Sequence, residues 1–195
     1  MPGQVPPVND EREALLAYLA QMRLVIRLTA YGLTDDQART TPTVSPLSVG
    51  GLIKHAAHVE RGWIDTVQQH QGAGTDQDYE ANFRMAPDET LAAILAMYDE
   101  VAAETERVIA GYQMDDPVPV PQGVPWFPDD VDAWSVRWVL LHLIQETARH
   151  AGHADIVRES VDGATAFPLM AAAEGWPATP WMQPWQPAAE GSPAS

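Results

Sequence analysis

The run from Trp134 to Gly163, WSVRWVLLHLIQETARHAGHADIVRESVDG, constrains this chain more than any other stretch. Its spacing predicts one long helix. Ser135 is placed to cap the start, where its hydroxyl can accept from a backbone N–H left free in the first turn. Gly163 is placed to end it, because glycine enters the left-handed conformation without a Cβ clash. Between the two, residues from Val136, Trp138 and Leu141 to Ile156 and Val157 are apolar around nearly the whole circumference. A helix of that kind is expected inside a protein rather than on its surface.

His142, Glu146, His150 and His153 are set into this apolar helix. At about 100° per residue they fall within a sector of roughly 80°. Ionised carboxylates are rarely buried unless paired or bound to a metal, because desolvation costs several kcal/mol or more. Two readings follow. Glu146 and His150, one turn apart, can converge on one ion, or the four groups form a buried hydrogen-bonded network or a partly solvated seam.

Ahead of this helix the pattern predicts three others, near residues 10–31, 48–70 and 87–111. Asn9 or Asp10 can cap the first, and its stripe is Leu15, Leu19, Met22, Ile26 and Thr29, broken at Gly32. TDDQAR is at most a short helical turn. Ser48 can cap the second helix, whose apolar stripe is Leu52, Ala56, Val59, Trp63 and Val67. His55 lies on that stripe and points inward, while His58 and His70 keep polar company. Taken alone, His55 reads as a core histidine. Pro87 can open the third helix, with Asp88 and Glu89 at its positive end. The connection GYQMDDPVPVPQGVPWFPDDVDA is long enough to suggest a function, with Trp126 and Phe127 as pocket walls or anchors. No strand pair is expected.

Four substantial helices with Pro- and Gly-bearing connectors predict an all-α four-helix bundle over residues 1–165. Residues 166–195 form an irregular Pro/Trp-rich tail. Trp176, Trp181 and Trp185 are too apolar for a purely disordered segment and are expected to pack on the bundle or on a second subunit, making a homodimer.

The net charge of −16 argues against nucleic-acid and anionic-membrane partners, which are themselves polyanions. With 0 Cys there is no disulfide framework, no cysteine zinc cluster and no thiol nucleophile, so thiol chemistry requires a thiol from outside. The N-terminal MPGQVPPVNDERE lacks the features of a secretory signal, and no apolar run approaches the ~20 residues of a membrane span. A soluble cytoplasmic protein is expected.

GLIKHAAHVERGW together with WVLLHLIQETARHAGHADIVRESVDG resembles the DinB-like superfamily, in an actinobacterial branch, over roughly residues 10–165. The resemblance implies a bundle of up-down-down-up connectivity with three ligands around one divalent metal. The matching positions are His55, Glu146 and His150, with Glu146 standing where the superfamily usually has a first histidine. The same Glu-x-x-x-His variation occurs in mycothiol-dependent maleylpyruvate isomerase, a zinc-dependent relative. Other relatives are S-transferases that use mycothiol, bacillithiol or glutathione.

The resemblance therefore implies a divalent metal, zinc first and Ni²⁺ or Fe²⁺ as alternatives, with a low-molecular-weight thiol as cosubstrate and a small electrophile as its partner. His142 and His153 are candidates for orientation or proton transfer beside the metal. Two other classes stay open on the same triad: a non-catalytic metal-binding module, and a hydrolase working through metal-activated water.

Overall fold

Side-chain caps set where the long helices begin. The computed structural model describes residues 3–70, 79–125 and 127–187. The connector at 71–78, Trp126 as a pocket wall and the last eight residues lie outside them. Asp10 accepts from the N–H of Glu13 and opens α1, Glu11–Leu28. Thr34 and Gln37 make a reciprocal capping box on the short α2, Asp35–Arg39. Ser48 accepts from Gly51 and opens α3, Val49–Val67, which is followed by the short α4, Tyr79–Asn82.

The next long helix, α5, spans Leu91–Ile109, and its cap is Thr90 rather than the region of Pro87. The Glu89 carboxylate is used elsewhere: it accepts from the N–H of Ala86 at 2.6 Å and pairs with Lys54 Nζ at 2.7 Å. Ser135 caps α6, Val136–Asp162, and Gly163 ends it at φ 74°.

Contacts along the helices give their directions. Glu11 pairs with Arg137 near the starts of α1 and α6, and the Thr29 carbonyl meets Arg158 near their ends, so these two run parallel. Lys54 with Glu89, and Glu60 with Thr105, make α3 parallel to α5. Trp63 beside Trp138, and His55 beside His150, make α3 antiparallel to α6. Arg27 on α1 reaches Asp99 in the first half of α5, while Arg12 donates to the Tyr112 carbonyl just past its end. The order is up-down-down-up. Packing runs from α1 to α6, α6 to α3, α3 to α5 and α5 back to α1.

The core holds two polar knots. In one, Arg23 of α1 and Thr105 of α5 both donate to the Glu60 carboxylate of α3, all three buried. In the other, the fully buried Arg158 donates to the carbonyls of Thr29 and Tyr31 at 2.6 and 2.9 Å and to both oxygens of Asp162 at 2.9 Å. The Trp185 ring lies over its guanidinium, 5.0 Å from the centroid. That ring also lies over Gly32, where φ is 72° and a Cβ would stand 2.5 Å from it. Trp185 therefore packs on its own bundle.

Three expectations need correction. A two-stranded antiparallel sheet joins β1, Pro117–Pro119, to β2, Ala133–Ser135, with Val118 opposite Trp134. Both strands are edges, so the prolines forfeit no ladder bond that a central strand would need. The helix α6 is not enclosed all round: Trp138, Leu141 and Ile156 are 39%, 50% and 58% exposed, because α1 and α3 cover only part of its circumference. Residues Ala166–Ala173 are not irregular but form α7, which packs against α1. Among the described residues, no helix is long and apolar enough to cross a membrane.

Candidate metal centre

His55 lies in the second turn of α3 on its buried stripe, 1% exposed. Glu146 and His150 stand one turn apart in the middle of α6. Because α3 and α6 lie side by side and antiparallel, the three side chains converge. His150 Nε2 is 3.0 Å from Glu146 Oε1, and His55 Nε2 is 3.7 Å from the same oxygen. The two imidazoles meet edge to face, with centroids 4.7 Å apart. One donor atom from each of the three lies within 4.8 Å of the others.

Hydrogen bonding from His150 first, and then from His55, holds the Glu146 carboxyl well below the usual carboxylate range, against the opposing effect of burial. The group is thus an anion in a half-buried place. Two imidazole nitrogens and one carboxylate oxygen, close enough to share a point, suit a divalent cation with coordination positions left over. His150 Nδ1 is buried with no hydrogen-bond partner among the described residues, so polar capacity remains at the cluster. The residues present fit the ion.

The other histidines fall outside this group. His142, one turn before Glu146, stacks parallel on Trp138 at 5.2 Å and tilts against Trp63 at 4.7 Å. Burial pushes its imidazole pKa down. His153 sets its ring edge-on to His150 at 5.5 Å, and its buried Nδ1 has no hydrogen-bond partner among the described residues. His58 is half-buried on α3, outside the donor group. Beyond His142 the stack continues through Trp138 to Trp134, 4.8 Å apart, with Phe127 against Trp134 at 5.0 Å. Phe127 therefore anchors its loop to this aromatic wall.

A family model described as mycothiol-S-transferase matches residues 14–163. The chain belongs to the mycothiol-S-transferase family. It is a DinB-like family, in keeping with the up-down-down-up helix order. The match runs from Ala14 in α1 through all three cluster residues to Gly163, leaving α7 and Trp185 outside the family's common part. Among solved structures, the crystal structure of the conserved protein of locus from Enterococcus faecalis is similar, with a TM-score of 0.59 and 17% identity. The similarity covers 80% of this chain and 100% of that one, and it bears on the fold alone. A comparison with curated proteins finds no match.

One residue at the centre escaped the sequence reading. Phe83, in the connection between α4 and α5, lays its ring on His55 with centroids 3.6 Å apart and planes 18° from parallel. In this mycothiol-S-transferase relative the ring comes from a segment without periodicity, so no helical pattern points to it.

Proposed function

We propose that this protein is a divalent-metal-dependent S-transferase that joins a mycothiol-type thiol to a small electrophile. The observation that carries the reading is the convergence of His55, Glu146 and His150 on one point, in a chain of this family. These three would hold the ion, zinc before nickel or iron. A divalent cation bound there favours thiolate over thiol near neutral pH.

The remaining work belongs to the chain. Glu146 is 23% exposed and His55 is 1% exposed, so the Glu146 side is where small molecules would arrive. His142, held neutral by burial and one turn away, would accept the proton released from the thiol. His153, edge-on to His150, is the alternative acceptor. The sulfur forms its bond to the electrophilic carbon as the leaving group departs with its electron pair. A reducing cytoplasm would keep such a thiol available.

The test is turnover of zinc-loaded protein with mycothiol or bacillithiol and a bromobimane, followed by fluorescence of the thioether. Thiol-dependent product is expected. Turnover of an ester or amide panel without any thiol would instead mark a hydrolase, and metal binding with no turnover would mark a binding module.

A further inference from the structure

The first turn of α3 carries two buried glycines in succession, Gly50 and Gly51. Glycine inside a helix is destabilising relative to alanine, so the pair calls for a reason. A Cβ on Gly51 would stand 2.0 Å from the carbonyl oxygen of Phe83 and 2.8 Å from its carbonyl carbon. A Cβ on Gly50 would stand 2.6 Å from Met85 Sδ and 3.1 Å from the Ala38 carbonyl oxygen. The chain after α4 thus rests its backbone directly on the helix. Lys54 fastens the same segment, donating to the Arg84 carbonyl at 3.2 Å.

Gly51 is one turn before His55 on the same face. Seating the Phe83 backbone on Gly51 therefore brings the Phe83 ring down flat on the His55 imidazole. The same ring stands edge to face against His150 at 5.6 Å.

We propose that Phe83, seated by Gly51, is a positioning residue for the metal centre, its ring face fixing the rotation of the His55 imidazole. The proposal rests on the reading of His55, Glu146 and His150 as ligands. Rotation about the bond joining imidazole to Cβ is soft and broad, so a histidine ligand needs a neighbour to hold its plane. Hydrogen bonds usually do this at metal sites, and a stacked ring face restricts the same rotation. A cation drawing electron density from the imidazole also makes the ring a better partner for the negative face of phenylalanine.

The experiment measures zinc affinity by chelator competition and the visible spectrum of the cobalt-substituted protein. Phe83→Leu keeps apolar bulk but removes the flat face, and is expected to lose about tenfold in affinity, the scale of ligand-orienting contacts, with altered cobalt bands. Phe83→Tyr keeps the ring and should keep the wild-type affinity. Gly51→Ala should act like Phe83→Leu, whereas Gly62→Ala, whose Cβ meets nothing within 4 Å, should change nothing. If Gly51→Ala fails to fold, the Phe83 variants carry the test.

A metal-free readout runs beside these. The Phe83 ring current should shift the His55 ring protons upfield in NMR spectra, and Phe83→Leu should abolish that shift. Wild-type affinity and cobalt bands in Phe83→Leu would overturn the proposal while leaving the metal centre intact. A wild-type protein that binds neither zinc nor cobalt would overturn the centre and the proposal with it.

Discussion

Arg23 grips Glu60 through two hydrogen bonds, Nη2 to Oε1 at 2.6 Å and Nε to Oε2 at 3.0 Å, with neither side chain open to solvent. Thr105 adds a third, its hydroxyl donating to Glu60 Oε1 at 2.5 Å. Without Glu60, the buried Arg23 would keep only the exposed Glu106 carboxylate, 3.5 Å from its Nη1. Glu60→Ala should therefore cost about 3–5 kcal/mol in urea denaturation. The double replacement Arg23→Met with Glu60→Leu should recover most of that loss, because an apolar pair of similar volume carries no desolvation cost. A double variant as unstable as the single would show that the knot is needed for the fold itself.

Arg158 presents the same physics where α1 and α6 end. Its guanidinium satisfies the carbonyls of Thr29 and Tyr31, which no longer have helical partners, and it neutralises Asp162. Arg158→Met should destabilise by about 3–5 kcal/mol. Trp185→Ala should cost less, since the tryptophan is only partly buried. Equal midpoints for Arg158→Met and the wild type in thermal melts would contradict this.

At the proposed metal centre the order of effects is specific. His150→Ala should lower zinc affinity at least 100-fold, because it removes a donor, while His58→Ala should leave affinity unchanged. Isothermal calorimetry reads both. Circular dichroism should show the bundle intact in each, since His150 contributes one ring at the edge of a large core.

His142 gives a prediction in pH. Burial lowers its pKa in the folded protein, so the unfolded chain binds a proton there more readily. Stability must then fall as pH drops below the ordinary value of 6.5, and this loss levels off below the depressed folded value. His142→Phe removes that component. Melting temperatures of metal-free protein between pH 7.5 and 5 should accordingly decline less steeply in the variant than in the wild type.

What the sequence disclosed was what local chemistry decides. Asp10, Ser48, Ser135 and Gly163 are caps whose partners lie within a few residues, and each stands at the helix end where its chemistry puts it. Local chemistry misled where a tertiary partner competed. Glu89 looked like a dipole residue of α5, yet its carboxylate goes to Lys54, 35 residues away, and Thr90 takes the cap. Glu60 and Arg158 gave no sign of being buried, because what allows it is an opposite charge or carbonyl far along the chain. The convergence of Glu146 and His150 follows from helical spacing alone. That His55 joins them depends on α3 lying beside α6, which the family resemblance supplied and spacing did not.

The pairing of α1 with α6 has a consequence for how the molecule is made. The bundle's first and last long helices are neighbours, and α6 brings two of the three cluster residues. On the ribosome, α1, α3 and α5 emerge first and can already close the Arg23–Glu60–Thr105 knot. Through that interval His55 waits as a single imidazole on a groove still open to water. The cluster is thus assembled only after α6 has emerged, and a chain stalled before residue 150 cannot present all three side chains together. In this topology, emergence of α6 and assembly of the three donors are the same event.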